Sequence, residues 1–75
     1  MKIEILGMGC PKCKMLYDNT VSALENSGKE AEIVKIEDLE KITEYAIMTT
    51  PALAIDGEVK SAGKVLSPDE IQKLL

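Results

Sequence analysis

The sequence has no histidine, no tryptophan and no phenylalanine. Without histidine there is no Ser-His or Cys-His nucleophile pair and no imidazole ligand for a metal ion. The only aromatic side chains are two tyrosines, and the formal net charge is -4. A nucleic-acid groove needs basic side chains together with stacking aromatics, so we expect no nucleic-acid partner.

Length and apolar content set the class of protein. The chain has 75 residues, which predicts a single domain over residues 1–75. A chain this short buries only roughly 60% of the surface it exposes when unfolded, so we expect a shallow surface site rather than a large cavity. The hydrophobic content of 45% is too high for a disordered chain at this net charge.

The first residues carry no targeting pattern. Met1 to Leu6 alternate charged and apolar side chains, whereas a secretory signal has a continuous apolar run. No stretch approaches the roughly 18 apolar residues of a membrane span. We therefore expect a cytoplasmic protein with no membrane partner. Thiols stay reduced in the cytoplasm, so a close cysteine pair there is more typical of redox chemistry or metal binding than of a structural disulfide.

The hydrophobic pattern predicts the element order β-α-β-α-β-β-α. The expected elements are a strand over residues 2–6, a helix from Pro11 to a stop at Gly28, a strand over 31–36, a helix from its cap Asp38 to before Thr49, strands over 52–55 and 58–61, and a last helix opened by Ser67 and Pro68. In the middle helix the predicted apolar stripe is Leu39, Ile42 and Ala46. A right-handed β-α-β crossover and the hairpin signal Asp56-Gly57 predict a four-stranded mixed sheet with helices on both faces.

The motif Cys10-Pro11-Lys12-Cys13 carries the obvious chemistry. Pro11 suits the first position of a helix, which leaves Cys10 as the N-cap among unpaired backbone N–H groups and the positive end of the helix dipole. Lys12 and Lys14 add positive charge nearby. We therefore predict that Cys10 has a lowered pKa and is the nucleophile, and that Cys13, on the apolar face of the helix, is the resolving thiol.

Three other interpretations of the cysteine pair compete with redox chemistry. A structural disulfide closing so short a loop would add only roughly 2 kcal/mol. A structural zinc site would need two further ligands, and the chain has no other cysteine. The strongest alternative is a Cu(I) carrier, because Met8, Cys10 and Cys13 fit the pattern M-x-C-x-x-C. Such carriers have their hairpin in the middle and end in a strand, whereas the hairpin here is late and the chain ends in a helix.

The pair Cys10-Pro11-x-Cys13, the later segment Thr50-Pro51-Ala52-Leu53 and the hairpin Asp56-Gly57 together resemble the thioredoxin fold. The similarity covers the whole chain and is strongest to the small thioredoxin-like redox-active disulfide proteins, also called glutaredoxin-like. The resemblance implies a minimal thioredoxin fold with strand order 2-1-3-4. The first and last helices would lie on one face of the sheet and the middle helix on the other.

The same resemblance implies the activity, a thiol–disulfide oxidoreductase. Its catalytic residues would be Cys10 and Cys13. The residues expected to bind substrate are Thr50, Pro51, Gly9, Pro11 and Lys12, with Pro51 in the cis form opposite the cysteines and the backbone of Thr50 pairing with an extended substrate segment. The implied partners are protein disulfides and an upstream disulfide reductase. We expect a monomer with no cofactor and no metal.

Some residues depart from the family pattern. Gly9 stands before the first cysteine, where thioredoxins carry a tryptophan. Glu4 is expected to be exposed, so no acidic residue of the first strand matches their buried aspartate. The residues that hold glutathione in glutaredoxins are not recognisable in Ser61 to Lys64. Gly7 and Gly9 are interpreted as flexible positions beside the nucleophile.

Overall fold

The computed structural model describes residues 1–7, 11–45 and 49–75. The elements follow the predicted order. They are β1 (Lys2–Leu6), α1 (Pro11–Ser27), β2 (Glu32–Ile36), α2 (Leu39–Glu44), β3 (Ala52–Ile55), β4 (Glu58–Ala62) and α3 (Pro68–Leu74). Two strands differ from the prediction by one residue each, since β2 begins at Glu32 rather than Ala31 and β4 extends to Ala62 rather than Ser61.

The four strands form one mixed sheet in the order β2-β1-β3-β4. β1 runs parallel to β2, with Ile3 opposite Ile33, and antiparallel to β3, with Ile3 opposite Ile55. β3 and β4 are antiparallel, with an irregularity in register between Leu53 and Ala54. This is the arrangement of the minimal thioredoxin fold, so the fold class expected from the sequence is confirmed.

Apolar side chains cover both faces of the sheet. On one face α1 and α3 pack on the strands in a cluster that contains Leu16 and Ile71, together with Ile3, Ile5, Leu53 and Ile55. On the other face Ile42 of α2 packs against Leu6, Ile36, Ala52 and Ala54. This split follows from the alternation of side chains along each strand. The expected placement of the first and last helices opposite the middle one is therefore confirmed.

Local signals set the ends of the elements. Ser67 and Glu70 form a reciprocal capping box at the start of α3, and Pro68 takes the first helical position. The side chain of Asp38 caps α2 by accepting from the backbone N–H of Glu40. Gly28, at φ +70°, ends α1. Each of these ends is where the sequence predicts it.

The apolar stripe predicted for the middle helix is wrong at Leu39. Leu39 is 63% exposed, although Ile42 is buried. α2 reaches the sheet through Ile42, and its C-cap Tyr45 packs there as well, whereas Leu39 lies one turn before Ile42. Ala46, the last residue of the predicted stripe, lies outside the described residues.

Candidate active site

Cys13 lies in the first turn of α1, packed against the end of β1. It is 6% exposed. A Cβ atom added to Gly7 would overlap the sulfur of Cys13 and would stand 3.3 Å from its Cβ. Gly7 itself is held by a 2.9 Å hydrogen bond from its backbone N–H to the carbonyl of Ile36. The sulfur therefore occupies the space that any side chain at position 7 would need.

Pro51 lies beside this contact. The same added Cβ on Gly7 would be 3.9 Å from the Cα of Pro51, and the Pro51 side chain is fully buried. The peptide bond between Thr50 and Pro51 is cis, which is the isomer implied by the resemblance. The tertiary fold thus places Pro51 beside Gly7 and Cys13, which are close to each other in the sequence but far from Pro51.

The loop that contains the cis bond is fixed by Gly63. The backbone N–H of Gly63 donates to the carbonyl of Pro51 at 2.8 Å. Gly63 has φ +76°, and a Cβ there would stand 2.7 Å from the Oγ1 of Thr49. A side chain at this position would therefore be strained by the backbone and would also collide with the loop. No pattern in the sequence predicts this role, and its one local sign is that a glycine directly follows an alternating strand.

The other expected site residues that the structure describes are exposed. Pro11, Lys12 and Thr50 are exposed around the buried pair Cys13 and Pro51. Lys14 and Met15, in the same turns of α1, are exposed as well. Met8, Gly9 and Cys10 lie outside the described residues, so the expectations for the nucleophile, for Gly9 and for a thioether ligand remain predictions.

The interpretation of Gly7 as a flexible position is wrong. Gly7 is buried and bonded to β2, and its lack of a side chain makes room for the sulfur of Cys13. Glycine is used here for close approach and not for conformational freedom.

The expectation that Glu4 is exposed is also wrong. Glu4 is 7% exposed, and its Oε1 accepts a 2.6 Å hydrogen bond from the hydroxyl of Tyr45. Alternation along β1 places Glu4 on the same face as Leu6, under the end of α2. This hydrogen bond, followed by burial and by the charge of Glu4, raises the pKa of Tyr45. The sequence predicts no buried acidic residue in the first strand, because Glu4 is expected to be exposed. The burial of Glu4 shows that β1 does carry one.

Comparison with known proteins decides the family. A family model described as Thioredoxin domain matches residues 1–75. A protein named Thioredoxin from Methanothermobacter thermautotrophicus is 44% identical over 75 residues, which cover 100% of this chain and 97% of that protein. A second protein named Thioredoxin, from Methanocaldococcus jannaschii, is 42% identical over 73 residues, covering 97% of this chain and 84% of that protein.

The chain belongs to the thioredoxin domain family. As a member of this family it is a redox protein, a thiol–disulfide oxidoreductase.

Among residues 1–7, 11–45 and 49–75 no helix is long and apolar enough to cross a membrane. In the same ranges no group of three or more His, Cys, Asp or Glu side chains is placed to hold a metal ion.

Proposed function

We propose that the chain reduces disulfide bonds of protein partners through a dithiol formed by Cys10 and Cys13. The observation that carries the proposal is the contact of Gly7, buried Cys13 and cis Pro51 at the start of α1. This contact holds one sulfur of the motif away from solvent, while the neighbouring residues Pro11 and Lys12 are exposed. A two-step exchange needs one sulfur that attacks the partner and a second that is protected until it resolves the mixed disulfide, and we assign these roles to Cys10 and Cys13.

In the first step the thiolate of Cys10 attacks one sulfur of the partner's disulfide. The partner's S–S bond breaks, a bond forms between Cys10 and the attacked sulfur, and the other partner sulfur leaves as a thiolate that takes up a proton. The start of α1 and the nearby Lys12 and Lys14 favour the thiolate form of Cys10, because backbone N–H groups, the helix dipole and positive charge all stabilise an anion there.

In the second step the sulfur of Cys13 loses its proton and attacks the sulfur of Cys10. The mixed disulfide breaks, the second partner sulfur leaves as a thiolate and is protonated, and a bond forms between Cys10 and Cys13. Two electrons have passed from the cysteine pair to the partner. An upstream disulfide reductase would return two electrons and restore the dithiol.

The residues around the pair would bind the partner. Thr50 is exposed directly before cis Pro51, so its backbone is available to pair with an extended segment of the partner. Gly9, Pro11 and Lys12 would contact the segment from the side of α1. The proposed location is the cytoplasm, where the dithiol can be kept reduced, and the proposed unit is a monomer of one domain over residues 1–75.

The experiment that tests the roles of the cysteines uses Cys10→Ser and Cys13→Ser. With a protein disulfide such as insulin, Cys13→Ser should accumulate a mixed disulfide on Cys10 that mass spectrometry detects, and Cys10→Ser should neither turn over nor trap the partner. Normal turnover by Cys10→Ser would refute the assignment.

The alternative function, a Cu(I) carrier, is tested by titrating the reduced protein with Cu(I) against a competing chelator. Stoichiometric uptake together with poor disulfide exchange would favour the carrier instead.

A further inference from the structure

A groove of about 500 Å³ lies between β4 and α3. Its lining includes Lys60 and Ser61 of β4, Lys64 of the following loop, and Lys73 of α3. The chain as a whole carries 13 acidic and 9 basic residues, so a concentration of lysines in one groove runs against the overall charge.

The lining carries three lysines against one acidic residue, Glu70, and two of the lysines form no ion pair with a described residue. Lys60 forms an ion pair with Glu58 at 3.3 Å. Glu70, the acidic residue of the lining, accepts from the backbone N–H of Ser67 in the capping box. Lys64 and Lys73 are exposed and form no ion pair with any described residue. The groove therefore favours a ligand that brings negative charge.

The groove also contains a polar group without a partner. The hydroxyl of Ser61 is buried and has no hydrogen-bond partner among residues 1–7, 11–45 and 49–75. A buried hydroxyl left unpaired is unfavourable. Rotation about the Cα–Cβ bond of Ser61 would turn this hydroxyl toward the groove, where it could donate to a carboxylate.

The groove adjoins the loop of the candidate active site. Gly63, the residue before Lys64, donates to the carbonyl of Pro51 and lies against Thr49. β4 is the outermost strand of the sheet, so one side of its backbone is free to pair with another strand. A segment that reaches the cis proline can therefore continue along β4 into the lysine groove.

We propose that this groove binds an acidic segment of the protein substrate, close in sequence to the cysteine that reacts. The proposal rests on the proposed function. Three residues of extended chain, the distance from Gly63 back to Lys60, span roughly 10 Å. The acidic residues of the substrate would accordingly lie about three to six positions from its reacting cysteine.

The experiment uses two disulfide peptides that are identical around the cysteines and end in a tail of either glutamates or glutamines. The neutral reference is hydroxyethyl disulfide. The readout is the second-order rate constant for oxidation of the reduced protein, measured by acid quench, alkylation and mass spectrometry. At low salt the glutamate tail should react roughly tenfold faster than the glutamine tail. The advantage should shrink at about 0.5 M salt, where charges are screened within a few ångströms.

Three variants locate the effect. Lys64→Gln combined with Lys73→Gln should remove most of the advantage of the glutamate tail. The control, Lys2→Gln combined with Lys41→Gln, changes the net charge equally on other surfaces and should retain the advantage. Ser61→Ala leaves the charge unchanged and should lower the rate with the glutamate tail alone by roughly threefold, since a hydrogen bond to a carboxylate is lost.

The outcomes separate the groove from the redox chemistry. Equal rates with both tails would overturn this proposal and leave the proposed function intact. Equal loss in the groove variant and its control, or an unchanged rate in Ser61→Ala, would mean that the lysines act only as distant charge, which also overturns it. If none of the three disulfides oxidises the reduced protein, the proposed function fails and this proposal fails with it.

Discussion

Gly7 and Cys13 occupy adjoining positions that leave no room for a second side chain. Residue 7 directly follows β1 and residue 13 lies in the first turn of α1, and a Cβ on Gly7 would overlap the sulfur of Cys13. The bare backbone of Gly7 thus allows the helix to start close enough to the sheet for the sulfur to be buried beside Pro51.

Gly7→Ala should lower the free energy of unfolding of the reduced protein by about 1–3 kcal/mol, because overpacking forces the sulfur or the backbone to move. Denaturant titration followed by circular dichroism measures this cost. The matched background is Cys13→Ala, which removes the sulfur. There the same substitution should cost at least about 0.5 kcal/mol less, since the two sites are coupled. An equal cost in both backgrounds would contradict the contact.

Gly63→Ala should impair both stability and disulfide reduction. Its control is Gly57→Ala, because both glycines have positive φ, +76° and +84°, and a Cβ on Gly57 would meet nothing within 4 Å. We expect Gly57→Ala to cost about 1–2 kcal/mol from the backbone alone and to leave the reduction rate unchanged. Gly63→Ala should cost more and slow the reduction of a protein disulfide, since Thr49 must move. Identical behaviour of the two variants would argue against a role of Gly63 in holding the loop.

Tyr45→Phe should lower the free energy of unfolding at neutral pH by about 1–3 kcal/mol, because the buried carboxyl group of Glu4 loses its hydrogen-bond donor. The control is Tyr17→Phe. The ring of Tyr17 lies 4.6 Å from the Nζ of Lys35, and its hydroxyl bonds to no described residue, so we expect a cost below about 0.5 kcal/mol. Urea titration of both variants tests this. Equal costs would mean that the hydrogen bond to Glu4 adds nothing to stability.

The hydrogen bond between Tyr45 and Glu4 should also make stability depend on alkaline pH. The pKa of Tyr45 is raised from 10.0, first by the hydrogen bond to Glu4 and then by burial. Because the folded value exceeds the unfolded one, this contribution is fully present below pH 10 and is lost as the pH rises through the folded value. The stability difference between Tyr17→Phe and the double variant Tyr17→Phe with Tyr45→Phe should therefore shrink above pH 10.

The phenolate absorbance gives a direct check of the same shift. In Tyr17→Phe the only remaining tyrosine is Tyr45, so the titration reports that residue alone. Replacing Glu4 with Gln in this background should lower the midpoint, because it removes the charge that opposes ionisation of Tyr45. An unchanged midpoint would show that Glu4 does not control this pKa.

The amino-acid sequence alone determined the elements and most of their ends. Pro11, Asp38, Ser67 and Gly28 act through their own backbone or through groups within one turn, so their effects can be deduced from nearby residues. The same holds for the hairpin at Asp56-Gly57. The thioredoxin-like order of the strands and the cis isomer of Pro51 were expected from resemblance, and the structure has both.

Only the tertiary structure decided the roles of Glu4, Gly7 and Gly63. Glu4 and its partner Tyr45 are 41 positions apart, so alternation in β1 gave no sign that a donor would cover the carboxyl group. Gly7 meets the sulfur of Cys13 through the packing of α1 against the end of β1, and Gly63 meets Thr49 from a distant part of the chain. Burial and close approach depend on which distant side chains share a space, and a local pattern carries no information about that partner.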